Sequence, residues 1–196
     1  MTEEQTKSTI RKPAGKAKTR KDASAAYWSS LETPIGEVYL ASTTEGLLLC
    51  GVSGKENFFE RLSTFFDKER WIEEPRANED AAKKLAEYFS GKRKTFGPHP
   101  PLFDMRGATE FERAVWFETQ KIPFGATVSY MELAAKLDKK EASRAVGNAL
   151  GRNRVPIFIP CHRVLKSDGG LGGFTGGLDI KIKLLELEGV EIQRKK

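Results

Sequence analysis

The sequence predicts an α+β fold, with a small antiparallel sheet first and a mainly helical second half, and three observations carry that expectation. Short β-type runs separated by Thr-Pro-Ile-Gly and Thr-Thr-Glu-Gly turns open the patterned part of the chain near Tyr27. Two later segments, Thr109-Glu110-Phe111-Glu112 and Ser129-Tyr130-Met131-Glu132, have the capping-box form, in which a hydroxyl and a carboxylate satisfy each other's free backbone amides. With 196 residues and 39% hydrophobic content, the chain can fill one large domain or two small ones.

Residues 1–26 come first, poor in large apolar side chains and rich in Lys, Thr, Ala and Ser, which predicts a disordered basic tail. The net charge of +6 and the pI of about 9.3 favour an anionic partner such as nucleic acid. Residues 1–27, however, hold seven Lys or Arg against Glu3, Glu4 and Asp22, so the body carries only about +2. The tail reads equally as an aid to nonspecific DNA contact, an address signal or a solvated segment. Strands follow at 27–31, 37–41 and 47–50, an antiparallel meander. Phe58, Phe59, Leu62, Phe65 and Phe66 recur at helical spacing over 56–66, an aromatic stripe that reads as core, and 81–89 gives a second short helix ending before Gly91. The stretch Gly97-Pro98-His99-Pro100-Pro101 reads as a connector, so 27–104 is taken as one N-terminal unit.

Helices are then expected from Thr109 onward, over 130–137, and from Glu141 or Ala142 to about Gly151, the last two separated by Asp138-Lys139-Lys140. Such a pair is a helix-turn-helix candidate. Its second helix sets Ala142, Ser143, Ala145, Gly147 and Ala149 around a single Arg144. Small side chains would let that helix lie close to a DNA groove, with the arginine reaching between base pairs. Tight helix packing with an exposed arginine is the alternative.

The chemistry concentrates at Val155-Pro156-Ile157-Phe158-Ile159-Pro160-Cys161-His162-Arg163-Val164, a strand-like apolar run that ends in a polar pair and then a glycine-rich segment. Cysteine is a nucleophile only as thiolate, and positive or proton-accepting neighbours favour that form. His162 and Arg163 would supply both. Cys50, inside the apolar run 47–52, reads instead as a small core residue. Two cysteines 111 positions apart suggest no disulfide framework, and a required thiol points to a reducing compartment. No run approaches a membrane span and no signal-peptide core is present, so a soluble intracellular protein is expected, in the nucleus of a eukaryote or the cytoplasm of a prokaryote.

Pro160-Cys161-His162-Arg163-Val164 resembles the active-site signature of the O6-alkylguanine-DNA alkyltransferases, the methylated-DNA–protein-cysteine methyltransferases. The likeness extends through Ile122-Pro123-Phe124-Gly125, Ser129-Tyr130, Ser143-Arg144-Ala145-Val146-Gly147, Asn153, Gly176-Gly177-Leu178, Lys181 and Leu187-Glu188-Gly189, covering roughly 108–190, with a weaker match before it. It implies a ribonuclease H-like α/β domain over 27–104, then a winged helix-turn-helix-like DNA-binding and catalytic domain over 108–190. The implied activity is direct-reversal DNA repair, an irreversible transfer of the alkyl group from O6-alkylguanine in double-stranded DNA to Cys161, once per chain, with O4-alkylthymine as a second candidate substrate.

By the same resemblance His162 takes the thiol proton through a water, Glu188 orients His162, and Tyr130 donates a proton to the departing guanine and supports the extruded nucleotide. Arg144 replaces the flipped base, Asn153 ties the helix-turn-helix to the active-site segment, and backbone groups near Val164 and Thr175 bind the guanine edges. Phe174 and Pro156 cover the ring, with Gly176 in the glycine-rich wall. Arg154 stands where proline is common in the family, and Phe174 where tyrosine often is. Cys50 and His99 are the only Cys and His before the active site, too few for a structural zinc, so no metal or cofactor is expected. A monomer is expected. Two other classes compete: a lesion-recognition module that binds alkylated DNA without transfer, and a Cys-His hydrolase or redox protein, whose usual spacings are absent.

Overall fold

The computed structural model describes residues 25–97 and 101–192. The expected tail up to residue 24, and the middle of the proline-rich connector with His99, lie outside the described residues. Ala26, which composition assigns to the tail, is instead the buried first residue of β1 (Ala26–Thr33), paired with Trp71.

β1, β2 (Gly36–Thr43) and β3 (Gly46–Gly51) form the expected meander, with Trp28 opposite Ala41 and Leu40 opposite Cys50. The β2–β3 turn requires glycine: Gly46 has φ +131°, and a Cβ there would lie 2.3 Å from the Leu102 carbonyl oxygen. A fourth strand, β4 (Trp71–Glu73), pairs parallel to β1, so the sheet is mixed, in the order β3-β2-β1-β4. Three residues are too few to show a period-two pattern, which hides β4 from the sequence.

β2 is buried on both faces. Tyr39 and Ala41 join Phe58 and Leu62 of α1 (Lys55–Ser63) together with Phe66, whereas Val38 and Leu40 face the rest of the molecule. Full burial of each large apolar side chain is worth about 1.5–3 kcal/mol. α2 (Glu79–Phe89) turns Ala81, Leu85 and Tyr88 inward, one helical face.

The segment that follows the connector and the second half both attach along the outer edge of β3. The Leu47 N–H donates to the Leu102 carbonyl at 2.7 Å, the Asp104 N–H to that of Leu47 at 2.9 Å, and the Cys50 N–H to that of Arg154 at 2.8 Å. An edge that would otherwise expose its ladder groups is thereby covered. One core runs from Val38, Leu40 and Cys50 through Leu85 and Tyr88 into Trp116, Leu133, Val146, Phe158 and Leu184.

Both capping boxes form completely. Thr109 Oγ1 accepts from the Glu112 N–H at 3.2 Å and Ser129 Oγ from that of Glu132 at 3.1 Å, with each carboxylate returning the bond, at the starts of α3 (Glu110–Gln120) and α4 (Tyr130–Lys136). A turn through Asp138, at φ 56°, leads to α5 (Ser143–Gly151). The Trp116 indole N–H donates to the Ala149 carbonyl at 2.8 Å and pins α3 to α5. A short parallel pair, β5 (Val128–Ser129) with β6 (Val164–Leu165), precedes the final helix α6 (Leu178–Leu187).

The run 155–159 is not the expected strand. Pro156 and Pro160 cannot donate to a ladder, and the chain folds on itself, with the Ile159 N–H donating to the Val155 carbonyl at 3.0 Å and the Cys161 N–H to that of Ile159 at 2.7 Å. Ile157 sits at φ +75°, a conformation costing about 1–3 kcal/mol and held by the surrounding packing. Cys161–Arg163 then form a single 3-10 turn. No helix among the described residues is long and apolar enough to cross a membrane.

Candidate active site

β5 runs directly into α4, β6 leaves directly from the Cys161 turn, and their parallel pairing ties the two segments together, with Tyr130 near enough to Cys161 for the two to interact electrostatically. Successive residues on a 3-10 turn are about 120° apart. Cys161 and His162 are therefore not on opposite faces, as an extended strand would place them.

Cys161 is 6% exposed. Asn153 holds it: one side-chain amide donates from Nδ2 to Cys161 Sγ at 3.1 Å and to the Ile159 carbonyl at 2.9 Å, while Oδ1 accepts from the Val155 N–H at 3.0 Å. Burial pushes the thiol above its ordinary value of 9.0, and the Asn153 hydrogen bond and the Lys181 charge draw it back only in part. At rest the sulfur is protonated and needs a base.

His162 is fully buried, and its Nε2 lies 2.9 Å from Glu188 Oε1. Burial resists ionisation of Glu188, but hydrogen bonds from His162 and Arg163 outweigh it and hold the carboxyl down at about 2. An ionised carboxylate only accepts, so Nε2 must carry the proton and Nδ1 keeps its lone pair. Burial also lowers the His162 pKa against the pull of Glu188, which leaves the ring neutral. Nδ1 has no hydrogen-bond partner among the described residues. A neutral imidazole with one bare nitrogen is the form a general base needs.

Arg163 does not serve the thiol as the sequence suggested. Its Nε and Nη2 grip Glu188 at 2.9 and 2.7 Å, and Nη1 donates to the Ile122 carbonyl at 2.6 Å. The cations acting on Cys161 are Lys181 and Arg61. Burial pulls Lys181 down to about 8, and its ammonium donates to the carbonyls of Val164 at 2.7 Å, Leu171 and Gly173. Arg61 Nη2 donates to the Asn153 carbonyl at 3.1 Å.

The Tyr130 ring lies against Gly147 of α5 and Gly172 of the glycine-rich segment; a Cβ at Gly172 would come within 2.7 Å of the hydroxyl. Burial raises the Tyr130 pKa, so the phenol keeps its proton. Phe174 meets the His162 ring edge-on at 6.4 Å, and a Cβ at Gly176 would strike both Phe174 and Val52. Pro156 and Val164 are buried. The carbonyls of Val164 and Thr175 already accept from Lys181 and from Ser53 Oγ, each keeping a second lone pair for a ligand. On α5 and its N-cap, Arg144 and Ala145 are exposed, whereas Ala142, Ser143 and Gly147 are half-buried. The structure thus gathers Cys161, His162, Glu188, Asn153, Tyr130 and Phe174, and sets Arg144 on an open helix face. A cavity of about 810 Å³ between the glycine-rich segment and α6 does not include Cys161 among its walls.

Arg154, where the resemblance leads one to expect proline, is held by several contacts. Its carbonyl accepts from Cys50, its Nη1 donates to the Arg106 carbonyl at 2.8 Å, and its guanidinium stands over the rings of Phe65 and Trp116 at 4.9 and 5.7 Å. Sequence reasoning missed Tyr88, whose hydroxyl donates to Glu188 Oε1 at 2.7 Å. A tyrosine on an apolar helical face reads as core, and no local signal marks its partner 100 residues away.

A family model described as the 6-O-methylguanine DNA methyltransferase DNA binding domain matches residues 110–190. A methylated-DNA–protein-cysteine methyltransferase of Methanosarcina acetivorans is 38% identical over 166 residues, spanning 83% of this chain and 98% of that protein. The inducible protein of the same description from Bacillus subtilis is 39% identical over 164 residues, spanning 83% and 89%. The crystal structure of Mycobacterium tuberculosis OGT in complex with DNA is similar at a TM-score of 0.70 and 34% identity, covering 83% of this chain and 92% of that one. The chain belongs to the methylated-DNA–protein-cysteine methyltransferase family.

Proposed function

We infer that this protein repairs O6-alkylguanine in double-stranded DNA by moving the alkyl group onto its own Cys161, once per chain. The observation that carries this reading is a protonated, buried thiol beside a neutral His162, whose Nδ1 is bare because Nε2 is committed to an ionised Glu188.

The O6 substituent lies in the base stack, so the nucleotide must turn out, at a cost of a few kcal/mol that is smaller for a damaged pair. Arg144, exposed among small residues on α5, is suited to fill the gap left behind. The thiol proton passes to His162 Nδ1, through a water where the gap requires one. Asn153 Nδ2 and the Lys181 charge stabilise the thiolate as it forms. The sulfur attacks the alkyl carbon as the bond to O6 breaks. Tyr130, still protonated, donates toward the ring, and the thiol proton finally replaces it, so an alkyl group and a proton exchange places between cysteine and guanine. The product is a thioether with a poor leaving group, which makes the transfer irreversible. One chain supplies every residue named, consistent with action as a monomer, and the need for a free thiol favours a reducing compartment.

The DNA product tests the reading. After incubation of excess protein with a duplex carrying O6-methylguanine, nucleoside analysis should show the lesion converted to guanine in equal amount. Tight binding with the lesion intact would make the protein a recognition module instead.

A further inference from the structure

The hydroxyl of Tyr88 is the one contact by which the N-terminal half touches the carboxylate of the relay among the hydrogen bonds described for it. Packing alone explains the ring, which is fully buried in α2 against Phe96, Phe89 and Phe124, but it does not explain the hydroxyl. That hydroxyl donates to Glu188 Oε1 at 2.7 Å, the oxygen that also receives His162 Nε2 at 2.9 Å and Arg163 Nη2 at 2.7 Å. Oε2 receives Arg163 Nε at 2.9 Å and the Gly125 N–H at 3.1 Å. Three side chains crowd Oε1, with Arg163 Nε also reaching it at 3.2 Å, and one carboxylate oxygen offers two good lone-pair directions, so they compete.

We propose that Tyr88 is a positioning residue of the transfer reaction: its hydroxyl, brought to Glu188 by α2, limits the share of Oε1 left to His162 and so holds His162 as the neutral base. The inference rests on the reading of Cys161 as the acceptor. The groups around His162 fit it. Cys161 and Arg163 flank it on the turn, Lys181 and Glu188 face it from α6 and its end, and Tyr88 reaches in from α2; Lys94, against the Phe124 ring, lies one residue further out. Glu188 is the carboxylate that favours the imidazolium, while Arg163 and Lys181 oppose it. Removing the Tyr88 hydroxyl leaves more of the carboxylate to His162, favours its protonation, and takes the base out of use at a higher pH.

The test is the single-turnover rate of methyl transfer to Cys161 from about pH 5 to about pH 9, for the intact chain and for Tyr88→Phe, Glu188→Gln and the double variant. Tyr88→Phe should move the acidic limb to higher pH by about half a unit or more, so that its rate deficit grows severalfold on acidification. In the Glu188→Gln background the same substitution should leave the limb where it is. A uniform deficit at every pH, or a limb moved to lower pH, would overturn the proposal. Should Tyr88→Phe fail to fold, 3-fluorotyrosine at position 88 keeps the ring and makes the hydroxyl a stronger donor. It should move the limb to lower pH, and an unmoved limb would overturn the proposal. A parent protein that transfers nothing would sink the alkyltransferase reading instead.

Discussion

At the residue scale, the chemistry depends on groups that burial would otherwise disable. Cys161 is pushed toward its protonated form and His162 toward its neutral form, both by burial first, and the two effects together leave an acid beside a base. Asn153 is the group that most opposes burial at the sulfur, and a hydrogen bond to a charged group is worth about 1.5–3 kcal/mol. Asn153→Ala should therefore slow transfer roughly 10- to 100-fold per folded molecule, measured against active protein quantified by its denaturation profile. A lowered midpoint with an unaltered rate would assign Asn153 to architecture alone. Acidification gives a second expectation. The folded His162 pKa lies below its ordinary 6.5, so the unfolded chain takes up that proton first, and stability falls as pH drops below 6.5. Glu188, ordinarily near 4.5, adds a further loss as pH falls from there toward about 2. Urea midpoints should fall between about pH 7.5 and pH 5.5, and less steeply in His162→Asn; equal slopes would contradict the burial argument. Cys161, His162 and Glu188 were legible only because a linear motif carries them, while Tyr88, Arg61 and the true partner of Arg163 are products of tertiary contact that no local pattern encodes.

At the element scale, the helix starts were legible because a capping box is a local device: Thr109 with Glu112 and Ser129 with Glu132 need only three residues of spacing. Losing such a cap costs about 1 kcal/mol. Thr109→Ala and Ser129→Ala should each lower the stability by about that amount. Ser129→Ala should also slow transfer, because α4 begins with Tyr130, whereas Thr109→Ala should not. Equal kinetics for the two would argue against Tyr130 as a participant. Elements set by distant partners were not legible. β4 is three residues long and exists because β1 offers it an edge, and the apolar run 155–159 reads as a strand until Pro156, the following Pro160 and the left-handed Ile157 fold it into turns.

At the scale of the whole molecule, the sequence divides at a proline-rich connector, yet the packing does not. One core runs from Leu40 and Tyr88 to Phe158 and Leu184, Cys50 pairs with backbone of the second half, and Arg154 stands over Phe65 of the first half and Trp116 of the second. Composition cannot reveal such a seam, because residues on either side of it are ordinary core residues for their own elements. Chemical denaturation should accordingly show one cooperative transition, coincident by circular dichroism and tryptophan fluorescence; two separated transitions would mean the halves are independent. The central claim, that this shared core presents Cys161 as the final home of the alkyl group, is tested most directly by intact-protein mass spectrometry with peptide mapping after exposure to duplex DNA containing O6-methylguanine. The account predicts one added methyl per chain, located on Cys161, saturating there with excess DNA and absent in Cys161→Ala. An unchanged mass despite DNA binding, or a methyl group on any other residue, would contradict it.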